Sequence, residues 1–164
     1  MKIYGVVGWK NSGKTTLMER LVAEVARRGF TVSTIKHAHH VFDVDQPGKD
    51  SHRHREAGAS EVLISSRKRF ALMHEVREGP EPEVDDLVAR LAPVDLVLIE
   101  GYKRGRHPKV EAHRAATGQG LIAAEDDTIR LVASNDPVSV AQPVIALDDH
   151  GAIVDFILKD TGLA

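Results

Sequence analysis

The sequence predicts an α/β fold, a mostly parallel sheet flanked by helices with an added β-hairpin, and three observations carry that expectation. The first is a glycine-rich loop, Gly8-Trp9-Lys10-Asn11-Ser12-Gly13-Lys14-Thr15, which fits G-x-x-x-x-G-K-[ST]. The second is its setting. A short apolar run, Lys2-Ile3-Tyr4-Gly5-Val6-Val7, precedes it, and a helical pattern from Thr15 to Arg28 follows. The third is the alternation of short apolar or β-branched runs with helical stretches, the order from which parallel sheets are built. Together they define the P-loop NTPase fold class. A chain of 164 residues reads as one nucleotide-binding domain over residues 1–164, long enough to bury a core without disulfides or metals.

Each element has a local reason. In the first helix Leu17, Leu21 and Val25 recur every four residues, Met18, Val22 and Ala26 widen the stripe, and Gly29 is placed to end it. Phe30 to Ile35 is short and β-branched, a second strand entering a βαβ unit. A polar stretch from Lys36 to Arg55 follows, turned at Pro47-Gly48, with Asp50-Ser51 starting a helix that runs to about Ala57. Glu61 to Ser65 and Phe70 to His74 flank Arg67-Lys68-Arg69 and read as a hairpin with a basic turn, added to the parallel sheet. Val84 to Leu91 is a short amphipathic helix, and Val94 to Gly101 is the most hydrophobic stretch, as in a strand buried on both faces. After a basic loop, Lys103 to Lys109, the run Val110 to His113 alternates like an exposed strand. Ile129 to Ala133 and Pro143 to Leu147 are two further strands, and Ile153 to Lys159 a closing helix.

Composition narrows the function classes. A formal net charge of -2 argues against a general nucleic-acid or membrane binder, so partners are sought in local patches. The absence of cysteine excludes disulfides, thiolate metal sites and a cysteine nucleophile, and is compatible with a reducing cytoplasm. No apolar run approaches the ~18 residues that span a bilayer. The apolar start stops at Lys10 without a cleavage-type ending, which argues against a signal peptide.

The chemistry is expected around the glycine loop. Its N–H groups turn inward toward the α and β phosphates, Lys14 supplies a cation for the β and γ phosphates, and the Thr15 hydroxyl ligates a bridging Mg²⁺. Gly8, Lys10, Asn11, Ser12, Gly13, Lys14, Thr15 and Thr16 therefore form the expected nucleotide-binding set. Lys10 is a second cation that could reach phosphate or simply face water. Glu100, ending the central apolar strand, is placed to hold Mg²⁺ or orient water, so Lys14 and Glu100 are the catalytic candidates. The polar stretch holds five of the nine histidines, His37, His39, His40, His52 and His54, with Asp43, Asp45 and Asp50. It reads as a zinc or nickel site, as a switch segment carrying one aspartate near the metal, or as a solvated loop. Lys103, Arg104 and Arg106 begin only three residues after Glu100, and a second, phosphate-bearing ligand could bind there. Arg67-Lys68-Arg69 fits a plain turn better. The usual guanine signal, N-K-x-D, is absent; Ser134-Asn135-Asp136 is either a shortened version with Asp136 as acceptor or an ordinary turn before Pro137. Neither an arginine finger nor a water-orienting glutamine is identifiable, so hydrolysis is expected to be slow.

These residues resemble a known family. The glycine loop through Leu17, then Ile35-Lys36-His37 with His40, Pro47-Gly48-Lys49-Asp50-Ser51 with Glu56-Ala57-Gly58-Ala59, and Glu100-Gly101-Tyr102-Lys103 before Pro108-Lys109-Val110-Glu111 are similar to the molybdopterin-guanine dinucleotide biosynthesis protein B (MobB) family. The resemblance covers about the first two thirds of the chain. It implies a dimeric, weakly hydrolytic protein that binds GTP and Mg²⁺ and assists the guanylyltransferase attaching GMP to molybdopterin. It also implies that Asp50 and Glu100 sit by the metal, beside Thr15, and that the basic loop faces a phosphorylated ligand. Two other readings stay open, a nickel-insertion metallochaperone GTPase and a small-molecule kinase. The first commonly uses cysteine with histidine, and the second a separable arginine-rich lid; the sequence shows neither.

Overall fold

The computed structural model describes residues 1–38 and 42–164. In chain order the elements are β1 (Lys2–Val7), α1 (Lys14–Arg27), β2 (Val32–Lys36), α2 (Asp50–Glu56), β3 (Glu61–Ser65), β4 (Phe70–His74), α3 (Val84–Ala89), β5 (Leu96–Glu100), β6 (Lys109–His113), β7 (Ile129–Ser134), β8 (Val144–Ile145) and α4 (His150–Thr161). They fall into two compact units, one of residues Met1–His37 with Val84–Ala164 and one of Ala38–Glu83.

The larger unit is a six-stranded sheet in the order β2-β5-β1-β6-β7-β8, every pair parallel. Alternate residues of the buried strands face opposite sides. Leu96, Leu98, Val110 and Leu131 join Leu17, Leu21 and Val25 of α1 and Ile153, Ile157 and Leu158 of α4 on one face. Val97 and Ile99 pack with Val88 of α3 on the other. Because the strands run the same way, the loops after β1, β2, β5, β6 and β7 all leave from one edge. From β1 the chain crosses to β2 on one flank and later enters β5 between them. It then passes over β1 to β6, β7 and β8 on the opposite flank, so the strand order reverses at the β1/β6 boundary, where open α/β sheets place their ligands.

The smaller unit holds α2 and the hairpin. Its strands and basic turn lie where the sequence places them, but β3 and β4 pair only with each other, from Glu61↔His74 to Ser65↔Phe70. The expectation that the hairpin joins the parallel sheet is thus corrected. The physical reason is that the tight turn pairs β3 with β4 locally, whereas joining a further sheet needs backbone pairing with an edge strand elsewhere in the chain; along the hairpin Leu63, Ile64, Phe70 and Leu72 are exposed, and Val62 and Met73 are buried. Within this unit Arg55 organises the loop. Its guanidinium donates to both carboxylate oxygens of Asp43 at 2.8 Å and to Glu75 at 3.0 Å.

A second correction concerns β6. Its alternating charged and apolar residues read as an exposed strand, yet all five are buried, because β6 lies between β1 and β7. Lys109 and Glu111 are satisfied instead of solvated. Lys109 Nζ donates to the Gly105 carbonyl at 2.5 Å and to the Thr128 hydroxyl, and Glu111 accepts the N–H groups of Ile122 and Ala123 at 2.9 and 2.8 Å.

Candidate functional site

Two glycines shape the loop that leaves β1. Gly8 has φ +148, and a Cβ there would lie 2.4 Å from the Ala112 carbonyl oxygen and 2.5 Å from Ser12 Oγ. No other residue fits without moving the backbone of β6. Gly13, at φ +96, is the N-cap of α1, and no side chain caps that helix. The first N–H groups of α1 are therefore left for an anion, with the helix dipole favouring it. The Ser12 hydroxyl is buried and, among the described residues, has no hydrogen-bond partner.

The ends of the neighbouring strands complete the geometry. Glu100 pairs with Val6 of β1 on one side and Lys36 of β2 on the other. The Thr15 hydroxyl donates to Glu100 Oε1 at 3.2 Å, and Lys36 Nζ lies 3.8 Å from Oε2. The hydroxyl and carboxylate predicted from the sequence as the metal pair are thus adjacent. A hydroxyl and a carboxylate are both hard oxygen donors of the kind Mg²⁺ takes, with water and phosphate completing its shell. Lys14 Nζ donates to the Trp9 carbonyl at 2.7 Å. Its pKa is lowered, by burial first; the charge of Glu100 opposes the shift, while Lys103 and Lys36 add to it. Three ammonium groups therefore face one small region, and an anion placed there would relieve their repulsion.

The basic loop divides. Lys103 Nζ sits 3.8 Å from the centre of the Trp9 ring, and burial lowers its pKa. Trp9 in turn donates its indole N–H to the Gly120 carbonyl at 2.8 Å, which joins the glycine loop to the segment after β6. Arg104 and Arg106 are exposed, whereas His107 turns inward against Gly5 and Gly105, its Nε2 buried without a partner among the described residues. Burial and the Lys109 charge push the His107 pKa down to about 4.

The remaining predicted residues are placed as follows. Lys10, Asn11, Thr15 and Thr16 are exposed, Asn11 with φ 65. Asp136 lies just past β7 at the same edge; its Oδ2 accepts the Ala115 N–H at 2.7 Å, and Asn135 Oδ1 accepts from Leu147 at 2.8 Å. His37 follows β2 and stacks on Tyr102, ring centres 4.4 Å apart. Asp50 opens α2, and His52, His54, Asp43 and Asp45 belong to the smaller unit. His39 and His40 lie outside the described residues. Among the described residues no three His, Asp or Glu side chains come together as a metal-ligand group.

Sequence reasoning missed Arg114. It is the first residue past β6, and it lines an open pocket of about 570 Å³ with Trp9, Lys10, Asn11, Thr117 and Gln119. The signal available was position alone: a cation one residue beyond a strand at the ligand edge.

The class that this arrangement defines is the P-loop NTPase fold, with its glycine loop, lysine and strand-end acid gathered at the carboxyl edge of a parallel sheet. The chain belongs to the molybdopterin guanine dinucleotide synthesis protein B (MobB) family, whose sequence model matches residues 3–135. It is 38% identical over 158 residues to the molybdopterin-guanine dinucleotide biosynthesis adapter protein of Haemophilus influenzae, covering 94% of this chain and 86% of that protein. The adapter protein of Escherichia coli K12 is 34% identical over 156 residues, covering 92% and 88%. The crystal structure of a MobB homolog from Bacillus stearothermophilus superposes with a TM-score of 0.72 at 31% identity, covering 100% of both chains. Among the described residues no helix is long and apolar enough to cross a membrane.

Proposed function

We propose that this protein is a GTP-binding accessory protein of molybdenum cofactor biosynthesis. It assists the guanylyltransferase that forms molybdopterin-guanine dinucleotide, and it hydrolyses GTP slowly. The single observation that carries the nucleotide part is the adjacency of Thr15 and Glu100, 3.2 Å apart, beside an uncapped helix start and the lysines around Lys14. The accessory part is supported by the relatives, which are named as adapter proteins of this biosynthesis.

In this reading the phosphates lie on the N–H groups of the glycine loop and the start of α1. Lys14 swings from the Trp9 carbonyl to the β and γ phosphates, a movement that its flexible stem allows. Thr15 and Glu100 would hold Mg²⁺, which would supply positive charge to offset that of the phosphates; the family resemblance alone extends the metal-ligand role to Asp50. The Asp136 carboxylate is the acceptor for the two N–H donors of guanine, Oδ2 keeping a lone pair free beside the Ala115 N–H that it already accepts. Lys103, Arg104 and Arg106 receive the phosphate of molybdopterin. Homodimerisation and a cytoplasmic location are part of the same proposal.

The test is reconstitution. The protein is added to a purified guanylyltransferase, molybdopterin carrying molybdenum, and limiting GTP, and dinucleotide cofactor is measured. A rise in yield or rate that Lys14→Ala removes is the expected result. No gain at any GTP concentration, or rapid GTP turnover by the protein alone, would overturn the accessory role.

A further inference from the structure

The guanidinium of Arg114 lies against the glycine loop in a specific way. Measured from the position a Cβ would occupy on Gly13, Nε and Nη2 are both at 3.3 Å and Cζ at 3.4 Å. Three atoms of a planar group at nearly equal distance mean that the plane faces the glycine, so its N–H edges point sideways along the loop instead of into it. A side chain at position 13 would push the group away; glycine admits it. The guanidinium is exposed and, among the described residues, has no carboxylate partner.

The backbone around it is tied down. The backbone of the next residue, Ala115, is tied by its N–H to Asp136, and Gly8 packs directly on the Ala112 carbonyl of β6. The strand that Arg114 follows is thus fastened to the glycine loop. Arg114 stands at the β1/β6 boundary where the strand order reverses, and with Lys10 and Asn11 it lines the open pocket of about 570 Å³. A planar cation with several outward N–H donors, lying beside a loop that offers backbone N–H groups, suits oxygens of a phosphate chain.

We infer that Arg114 is a further ligand-binding residue of this site, contacting phosphate oxygens of a bound nucleoside polyphosphate from the β6 side while Lys14 contacts them from α1. This rests on the nucleotide reading above and adds a residue to it.

Calorimetric titration of the intact protein with GTP and, separately, with inorganic triphosphate, both with Mg²⁺, tests it. Arg114→Ala is expected to weaken both ligands at least tenfold, and Arg114→Lys to recover part of the GTP affinity, with melting temperatures equal to the parent's because the side chain is exposed. The triphosphate arm assigns the contact to phosphate. Affinities within twofold of the parent for both ligands would overturn the inference while leaving nucleotide binding intact. A loss for GTP alone would overturn it as well, by moving the contact to the nucleoside. A parent that takes up neither ligand would overturn the nucleotide reading, and this inference with it.

Discussion

β1 and β6 lie side by side, paired in parallel from Gly5↔Lys109 to Val7↔Glu111, and over that stretch both are shut off from solvent. Their sequences could hardly differ more. β1 is an apolar run that announces a buried strand, whereas β6 places Lys109, Glu111 and His113 in the interior. β1 is held by the hydrophobic effect, and β6 additionally by partners that come from other parts of the chain: Gly105, Asp126 and Thr128 for Lys109, and the turn at Ile122–Ala124 for Glu111. Buried charge is tolerated where every donor and acceptor is met, and is costly where one is left over. The comparison teaches that burial pattern is read locally, but burial of charge is not.

The largest break in that comparison is Glu111→Ala. It leaves two N–H groups without an acceptor beside a fully buried strand, and should cost about 3 kcal/mol of stability. Chemical denaturation measures it, with Val7→Ala in β1 as the apolar counterpart. A loss below about 1 kcal/mol for Glu111→Ala would show that water replaces the carboxylate.

Next is Lys14→Ala, which acts on phosphate and not on the core. It should lower affinity for GTP by at least ~2 kcal/mol, roughly thirtyfold, with an unchanged melting temperature. Affinity within twofold of the parent would remove Lys14 from the site.

The third lever is pH, through His107. Its pKa is held down to about 4, by burial first, against 6.5 for the free side chain. Between those values the unfolded chain binds a proton that the folded one refuses, so stability falls as pH drops from 6.5 toward 4 and is fully present above 6.5. The loss should be on the order of 2 kcal/mol, and His107→Gln should flatten that part of the stability–pH curve. An unaltered curve would mean that His107 titrates freely.

The smallest effect is expected at the exposed cations. Neutralising the exposed Arg104 and Arg106 together should reduce the gain in dinucleotide formation a few-fold while sparing GTP binding, since solvent screens these charges and Lys14 holds the nucleotide. Equal loss of GTP affinity would merge the basic loop with the nucleotide site.

Much of this was legible in the sequence, and what was not has a common cause. The glycine loop, its strand and its helix form from residues adjacent in the chain, so Gly8 to Thr15 and the stripe Leu17, Leu21 and Val25 could be read directly. Glu100 could be read because a long apolar run ends on it at the ligand edge. The burial of β6 could not, because the groups that satisfy it lie up to 19 residues away and look like loop. The separate hairpin sheet had the same cause: strand pairing within Glu61 to His74 is local, but whether a hairpin joins another sheet depends on an edge elsewhere. Arg114 was invisible for a third reason, since its significance lies in its distance to Gly13, a residue a hundred positions earlier.

Titrating the intact protein with GTP and with ATP under the same Mg²⁺ concentration decides whether a guanine nucleotide occupies the glycine loop. The expected result is saturable GTP binding that weakens when Mg²⁺ is withdrawn or when Glu100→Gln removes the carboxylate charge, with ATP at least ~tenfold weaker. Equal affinity for ATP, or no uptake of either nucleotide, would contradict it.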